Sequence, residues 1–234
     1  VGFFIESVLI GDSGNGHALR ELEIIHNMDL GNSEVQSSLI PSLFGVGIDV
    51  PVHQSLKRLS LDRCPISDLA AIALIEALCG PSQRHSNTKP SGLRHLRLSC
   101  GGIGRSGSHL TDATVMALVS ASGDDGCKGG SKFGISSDGT NYMQRPYNLS
   151  ALSSLALPGC LMSPPVAERL AASFPFVTTL VLSGHAVTDE VVLNISRGVW
   201  RLRELSLQSS ALTDKGVEML FKSKAAGKTL QRLN

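Results

Sequence analysis

Aromatic residues make up only 4% of this 234-residue chain. A binding surface built on aromatic anchors, or a platform on which nucleic-acid bases stack, therefore has little to draw on. An excess of one charge is missing too. Lys+Arg 21 stand against Asp+Glu 20, a formal charge of +1, so no long-range field gathers nucleic acid or an anionic membrane, and neither is expected as a partner. No stretch reaches the roughly 18 uninterrupted apolar residues of a membrane helix, and Val1-Gly2-Phe3-Phe4-Ile5 lacks the basic start of a signal peptide. The five cysteines, Cys64, Cys79, Cys100, Cys127 and Cys160, are odd in number and contain no C-x-x-C pair, which argues against a disulfide framework and a zinc site alike. A reducing, cytoplasmic setting is expected. Asn148-Leu149-Ser150 and Asn194-Ile195-Ser196 fit the glycosylation triplet, but such triplets arise by chance in chains of this size. With 42% apolar residues there is enough material for one sizeable core. The first residue is not Met and Gln231 to Asn234 stop inside an apolar pattern, so the sequence reads as a fragment of a longer protein.

What is present is a repeat. Leu56-x-x-Leu59-x-Leu61-x-x-Cys64 is followed by Ile66-Ser67-Asp68, and Leu202-x-x-Leu205-x-Leu207 by Leu212-Thr213-Asp214 at nearly the same offset. The same frame opens at Leu19, Leu93, Leu152 and Val177, and Leu230-x-x-Leu233 begins a seventh. This is the leucine-rich-repeat pattern. Its fourth and sixth positions turn inward along a short strand, and the residues between them point out. The ninth position, Cys64 and Cys160 among others, is expected to satisfy buried turn amides. The pairs Ser67-Asp68, Thr111-Asp112, Thr188-Asp189 and Thr213-Asp214 predict helix starts, with the hydroxyl as cap and the carboxylate at the positive helix end. In the unit between, Ser163-Pro164-Pro165 takes that place, where a proline's missing amide is harmless. Apolar spacing predicts helices over Leu69 to Leu78, Val115 to Val119 and Val217 to Phe221. A further helix is expected to open at Ser33, and Gly80, Gly123, Gly198 and Gly227 to mark helix ends.

Repeat starts at 19, 56, 93, 152, 177 and 202 are separated by 37, 37, 59, 25 and 25 residues, so the early units carry insertions. The longest, 123–148, is rich in Gly, Ser, Asp and Lys and is expected to be a flexible loop; a second loop spans Pro81 to Gly92. Neither demands a domain boundary, because a stacked array tolerates insertions at its edges. The fold class is α/β: residues 1–234 form a single solenoid, with a curved parallel sheet on the concave side and helices on the convex side.

Some motifs imitate catalysis. Gly102-x-Gly104-x-x-Gly107, with Asp124 further on, has the spacing of a dinucleotide-binding turn. The strand before it, Leu93 to Leu98, alternates polar and apolar residues where a doubly wound sheet would bury both faces, so it belongs to the repeat frame. Gly227-Lys228-Thr229 ends like a phosphate loop but lacks the earlier glycine, since Lys222 stands there. The histidines show no H-E-x-x-H spacing, and no serine sits in a G-x-S-x-G elbow. No catalytic residue, cofactor or metal is expected.

The outward strand positions are the candidate site, because the array holds them rigid on one continuous surface. Lys57, Arg58, Arg63, Arg94, His95 and Arg97 cluster on the second and third strands with only Asp62 against them, and Arg203 follows on the sixth. Arg20, Glu21 and Glu23 occupy the first strand. Such a patch suits a protein partner with an acidic segment.

The frame with its [Leu/Ile/Val]-[Ser/Thr]-Asp helix start resembles the ribonuclease-inhibitor-like and cysteine-containing classes of leucine-rich repeat over most of positions 19 to 234. More narrowly, Ser55-Leu56-x-x-Leu59-Ser60-Leu61-x-x-Cys64-Pro65-Ile66, Arg145-Pro146 before Leu152, and the final Leu-Thr-Asp-Lys-Gly unit resemble the repeat domain of the centrosomal protein of 78 kDa family. That resemblance implies a scaffold at the centriole or ciliary basal body, acting in cilium formation and docking centrosomal or ubiquitin-ligase components. Three readings follow: a non-catalytic interaction scaffold; a regulator of an enzyme, such as a GTPase activator or ubiquitin-ligase substrate receptor; and a nucleotide-binding enzyme built on the glycine motifs.

Overall fold

The computed structural model describes residues 20–25, 56–79, 92–99, 110–122, 149, 151–184, 187–197, 201–208, 211–223 and 226–234. Seven short strands, β1 (Glu21–Ile25), β2 (Arg58–Asp62), β3 (His95–Leu98), β4 (Ser154–Pro158), β5 (Thr179–Ser183), β6 (Glu204–Gln208) and β7 (Arg232–Leu233), lie side by side in chain order, every neighbouring pair parallel. Between them run α1 (Asp68–Cys79), α2 (Asp112–Ala121), α3 (Pro164–Ser173), α4 (Asp189–Arg197), α5 (Asp214–Lys222) and the single turn α6 (Ala226–Thr229).

The inward positions stack as ladders. Leu22, Leu59, Leu96, Leu155, Leu180, Leu205 and Leu233 stand in register across all seven strands. Two positions on, Ile24 pairs with Leu61 and Leu61 with Leu98, while Leu157 pairs with Leu182 and Leu182 with Leu207. From β2 to β6 these leucines are buried, as are the frame's opening residues Leu56, Leu93, Leu152, Val177 and Leu202. Each such side chain contributes about 1.5–3 kcal/mol of transfer free energy before entropy is charged against it. Consecutive helices pack on one another, α1 on α2 through α4 on α5. Helices are about 10 Å wide and strands sit only about 4.8 Å apart, so the stack bends with the sheet on its inner side.

The helix starts fall where the Ser/Thr-Asp pairs predict, but the hydroxyls do not all cap. Ser67 Oγ accepts from the Ala70 amide at 3.2 Å, Thr111 Oγ1 from Ala113 at 3.3 Å and Thr188 Oγ1 from Val191 at 3.4 Å. Thr213 and Ser163 make no side-chain cap bond, and α3 starts on its two prolines instead. The apolar faces also differ in detail. In α1 the buried stripe is Ala70, Ala71, Leu74, Ile75 and Leu78, so the core-facing side is turned from the expected one: Leu69 is 81% exposed and Ile72 and Ala73 are half-buried beside it. Phe221 is likewise exposed and Leu220 carries the packing of α5. Gly227 lies inside α6 and not at the end of α5, which stops at Ser223. The expected loop over 123–148, the helix at Ser33, and Gly80, Gly123 and Gly198 lie outside the described residues.

Candidate functional site

Because the ladders fix the register, the outward residues form rows across the strands as well. One row runs Glu21, Arg58, His95, Ser154, Thr179, Glu204 and Arg232. The next runs Glu23, Ser60, Arg97, Ala156 and Val181. A further row precedes the strands. The carbonyl of Arg20 accepts from Lys57 at 2.6 Å, that of Lys57 from Arg94 at 2.8 Å, that of Arg94 from Ser153 at 2.9 Å, and the chain continues through Thr178 to Arg203.

The six clustered basic residues are thus brought together on β2, β3 and their flanks, and Arg203 stands apart beside β6. Their electrostatics are less uniform than the sequence suggests. The Arg97 guanidinium donates from Nε at 3.0 Å and Nη2 at 2.9 Å to Asp62 Oδ1. Burial alone would raise the Asp62 carboxyl, but the hydrogen bond and charge of Arg97 hold it below its ordinary value, so the pair stays ionised. Arg58 Nε lies 3.8 Å from Glu21 Oε2, both side chains being at least half exposed, a contact worth about 0–1 kcal/mol. His95 is pushed below its ordinary value first by burial and then by the Arg58 charge, so it offers a neutral ring at pH 7. Lys57, Arg94 and Arg203 are exposed and in no ion pair among the described residues, and Arg20 shares both properties. Arg20 is the functional candidate that the sequence reading left with the mixed first strand; its signal was the second position of the frame, which it shares with Lys57 and Arg94.

Two backbone and side-chain details mark this region. Arg63 has φ 54°, the conformation that Gly159 (φ 78°) and Gly184 (φ 108°) adopt at the same point after β4 and β5. Left-handed backbone is free for glycine and costs another residue about 1 kcal/mol. Ser60, flanked in its row by Glu23 and Arg97, is 5% exposed and its hydroxyl has no hydrogen-bond partner among the described residues.

Along the edge where helices begin, the Asp of one unit clasps the next unit. Asp68 accepts from the Thr111 amide at 2.9 Å and from the hydroxyls of Thr111 and Thr114. Asp112 accepts from the Ser163 amide at 2.7 Å, and Asp189 from the Thr213 amide at 2.8 Å and its hydroxyl at 2.6 Å. These carboxylates stand in the first turn of their own helices, as expected, and their hydrogen bonds reach the following unit as well. Burial works against ionised Asp68, yet the bonds from Thr111 and Thr114 hold its carboxyl below the ordinary range. The Thr213 hydroxyl is the main cause of the same direction at Asp189. The ninth-position cysteines join units too, as donors to carbonyls. Cys64 Sγ donates to the Ile24 carbonyl at 3.6 Å and the Asp62 carbonyl at 3.4 Å, and Cys160 Sγ reaches the Thr111 carbonyl at 4.0 Å.

Other sequence motifs resolve variously. Asn194 is 8% exposed and its Oδ1 accepts from Arg197 at 3.3 Å, so that triplet is part of the folded helix α4. Lys228 and Thr229 sit in α6, after a helix and not after a strand. Gly102 to Gly107, Asp124 and Asn148 lie outside the described residues, as do Cys100, Cys127, His26, His53, His85, His109 and His185. No helix among the described residues is long and apolar enough to cross a membrane.

A family model described as Leucine Rich repeat matches residues 52–74 and 202–221, the units of β2–α1 and β6–α5. No curated protein gives a significant match to the chain. With its in-register leucine ladders, its open seven-stranded parallel sheet and a helix layer on one side, the chain folds as an α/β leucine-rich-repeat solenoid, an architecture suited to protein–protein interaction.

Proposed function

We propose that the chain is a non-catalytic scaffold whose concave strand face docks a protein partner through an acidic segment of that partner. One observation carries this reading: Lys57, Arg58, Arg63, Arg94, His95 and Arg97 converge on adjacent, rigidly registered strands, with Arg203 further along the same face. The rest of the face offers Ser154, Ala156 and Thr179, small groups over which a partner backbone can come close. The likeness of Ser55 to Ile66 and of the last unit to the centrosomal repeat family supports a setting at centrioles or basal bodies, with centrosomal or ubiquitin-ligase components as neighbours.

Proximity labelling by the full-length protein in cells tests both parts. The wild type is compared with a variant carrying Gln at Lys57, Arg58, Arg63, Arg94, His95, Arg97 and Arg203, its folding checked by circular dichroism. The expected result is selective loss of neighbours that contain acidic segments, with centriolar proteins among the wild-type set. An unchanged set of neighbours refutes the docking face; a set without centriolar proteins refutes the location. Neighbours dominated by one GTPase or one ligase would favour the enzyme-regulator reading over a general scaffold.

A further inference from the structure

The proposed surface contains two kinds of cation, and they occupy different positions of the repeat frame. Arg58 and Arg97 already face carboxylates of the chain itself, Glu21 and Asp62. An incoming acid must displace those partners, and the Arg97–Asp62 pair is partly buried, with side chains 39% and 20% exposed. Such a pair gives up little: whatever Arg97 gains from the newcomer it loses from Asp62, and Asp62 is left without its cation. Arg20, Lys57 and Arg94 are different. Backbone hydrogen bonds at 2.6 Å and 2.8 Å tie these three residues together on consecutive strands. All three are exposed and lack an ion pair among the described residues. Strands lie about 4.8 Å apart, so the row roots three cationic side chains within about 10 Å along one line, the Lys57 ammonium lying over Gly92. The carboxylates nearest in sequence are Glu21, turned toward Arg58, and Glu23, one frame position further along β1.

We infer that the acid-binding element of this face is the row Arg20, Lys57 and Arg94 at the entrance to the strands, and that Arg58 and Arg97, clasped weakly by Glu21 and firmly by Asp62, lie outside it. The ligand is a run of about four consecutive Asp or Glu residues in an extended partner segment lying across the strands, since an extended chain advances about 3.3 Å per residue and four residues cover the row. Beyond Arg94 the row continues as Ser153 and Thr178, whose hydroxyls donate to the Arg94 and Ser153 carbonyls and are held down against the sheet. The segment can leave the cations over that low stretch without a clash. A nucleic acid would use the same charges but also needs stacking partners, and none of these row positions is aromatic. This inference rests on the acidic-partner reading and moves its centre to a different set of side chains.

The test uses the full chain and a fluorescein-labelled octaglutamate peptide, followed by anisotropy at 50 and 150 mM salt. Replacing the row as R20Q/K57Q/R94Q should weaken binding about tenfold at the lower salt, three exposed charge contacts being removed. The charge-keeping R20K/K57R/R94K variant should bind within twofold of wild type. Removing the clasps together with their acids, as E21Q/R58Q/D62N/R97Q, should also leave binding within twofold, with a melting curve confirming the fold. A row variant within twofold of wild type overturns the inference, and a clasp variant that loses binding in its place does so while leaving the acidic-partner reading intact. Wild-type protein that binds octaglutamate no better than octaserine sinks the reading itself. Tighter binding of an eight-nucleotide oligo(dT) than of the peptide at equal salt overturns the assignment in favour of nucleic acid.

Discussion

Removing the Asp68 clasp by Asp68→Ala should destabilise the array by about 3 kcal/mol. Three donors lose a charged acceptor: the Thr111 amide, the Thr111 hydroxyl and the Thr114 hydroxyl. Thr114 is 0% exposed, so its hydroxyl is stranded at about 1–3 kcal/mol. The two Thr111 donors are partly open to water and are discounted to about 0.5–1 kcal/mol each. For a chain of this length the sum corresponds to a fall in Tm of roughly 6–12 °C. Urea unfolding followed by circular dichroism and by Trp200 fluorescence reads the effect, and agreement of the two probes tests whether the array melts as one unit. Asp214 is the internal control. It opens α5 as Asp68 opens α1, but it accepts no bond from another unit among the described residues, so Asp214→Ala should cost less than a third as much. Equal losses from the two substitutions would refute the clasp and leave only the helix-start role. The clasp also has a pH signature. Asp68 releases its proton more readily in the folded than in the unfolded chain, so its contribution is complete above about pH 3.9 and is lost as pH falls through the lower folded value. Asp68→Asn should therefore flatten the stability profile below about pH 4 relative to wild type.

Three further outcomes are expected. Ser60→Ala removes a buried hydroxyl with no partner among the described residues and should raise stability by about 1 kcal/mol, read as a Tm increase of about 2–4 °C; a decrease would mean the hydroxyl is satisfied. Arg63→Gly should leave Tm level or raise it, while Gly184→Ala lowers stability by about 1 kcal/mol or more, since both positions need left-handed backbone; thermal melts of the pair decide it. His95 should titrate below the ordinary histidine value of about 6.5 in a proton NMR experiment, and a higher value would place a carboxylate, in preference to Arg58, as its dominant neighbour.

The ladders were legible because a strand's side-chain period is two and every unit repeats it, so the sequence alone aligns Leu59, Leu96, Leu155, Leu180 and Leu205. What could not be read was which unit a polar side chain would serve. Asp68 and Thr111 are 43 residues apart, and Asp62 and Arg97 are 35 apart. Local rules for helix starts see only Asp68 beside Ser67, and they assign the carboxylate to its own helix. The same blindness hid which cations of β2 and β3 are already paired, because Glu21 and Asp62 reach cations on a neighbouring strand and not along their own. Frame position did contain the distinction between free and paired cations: Arg20, Lys57 and Arg94 share the second place, Arg58 the third and Arg97 the fifth. Leu69 shows the limit of periodicity from the other side: α1 is apolar nearly all round, so spacing alone could not say that Ala70, Ala71 and Leu74 and not Leu69, Ile72 and Ala73 would face the core.

Register that ignores connection length has a kinetic side. The ladder from β3 to β4 closes across a 59-residue repeat spacing, whereas β4, β5 and β6 close across 25 each, yet all three pairings are parallel and keep the same frame register, over three residue pairs in the first and five in each of the others. Closing the longer loop costs about 0.8 kcal/mol more entropy, roughly a fourfold difference in rate, if the connections are flexible while the strands search. The carboxy-terminal units should therefore zip first and present a ready edge, with the amino-terminal strands ordering onto that template.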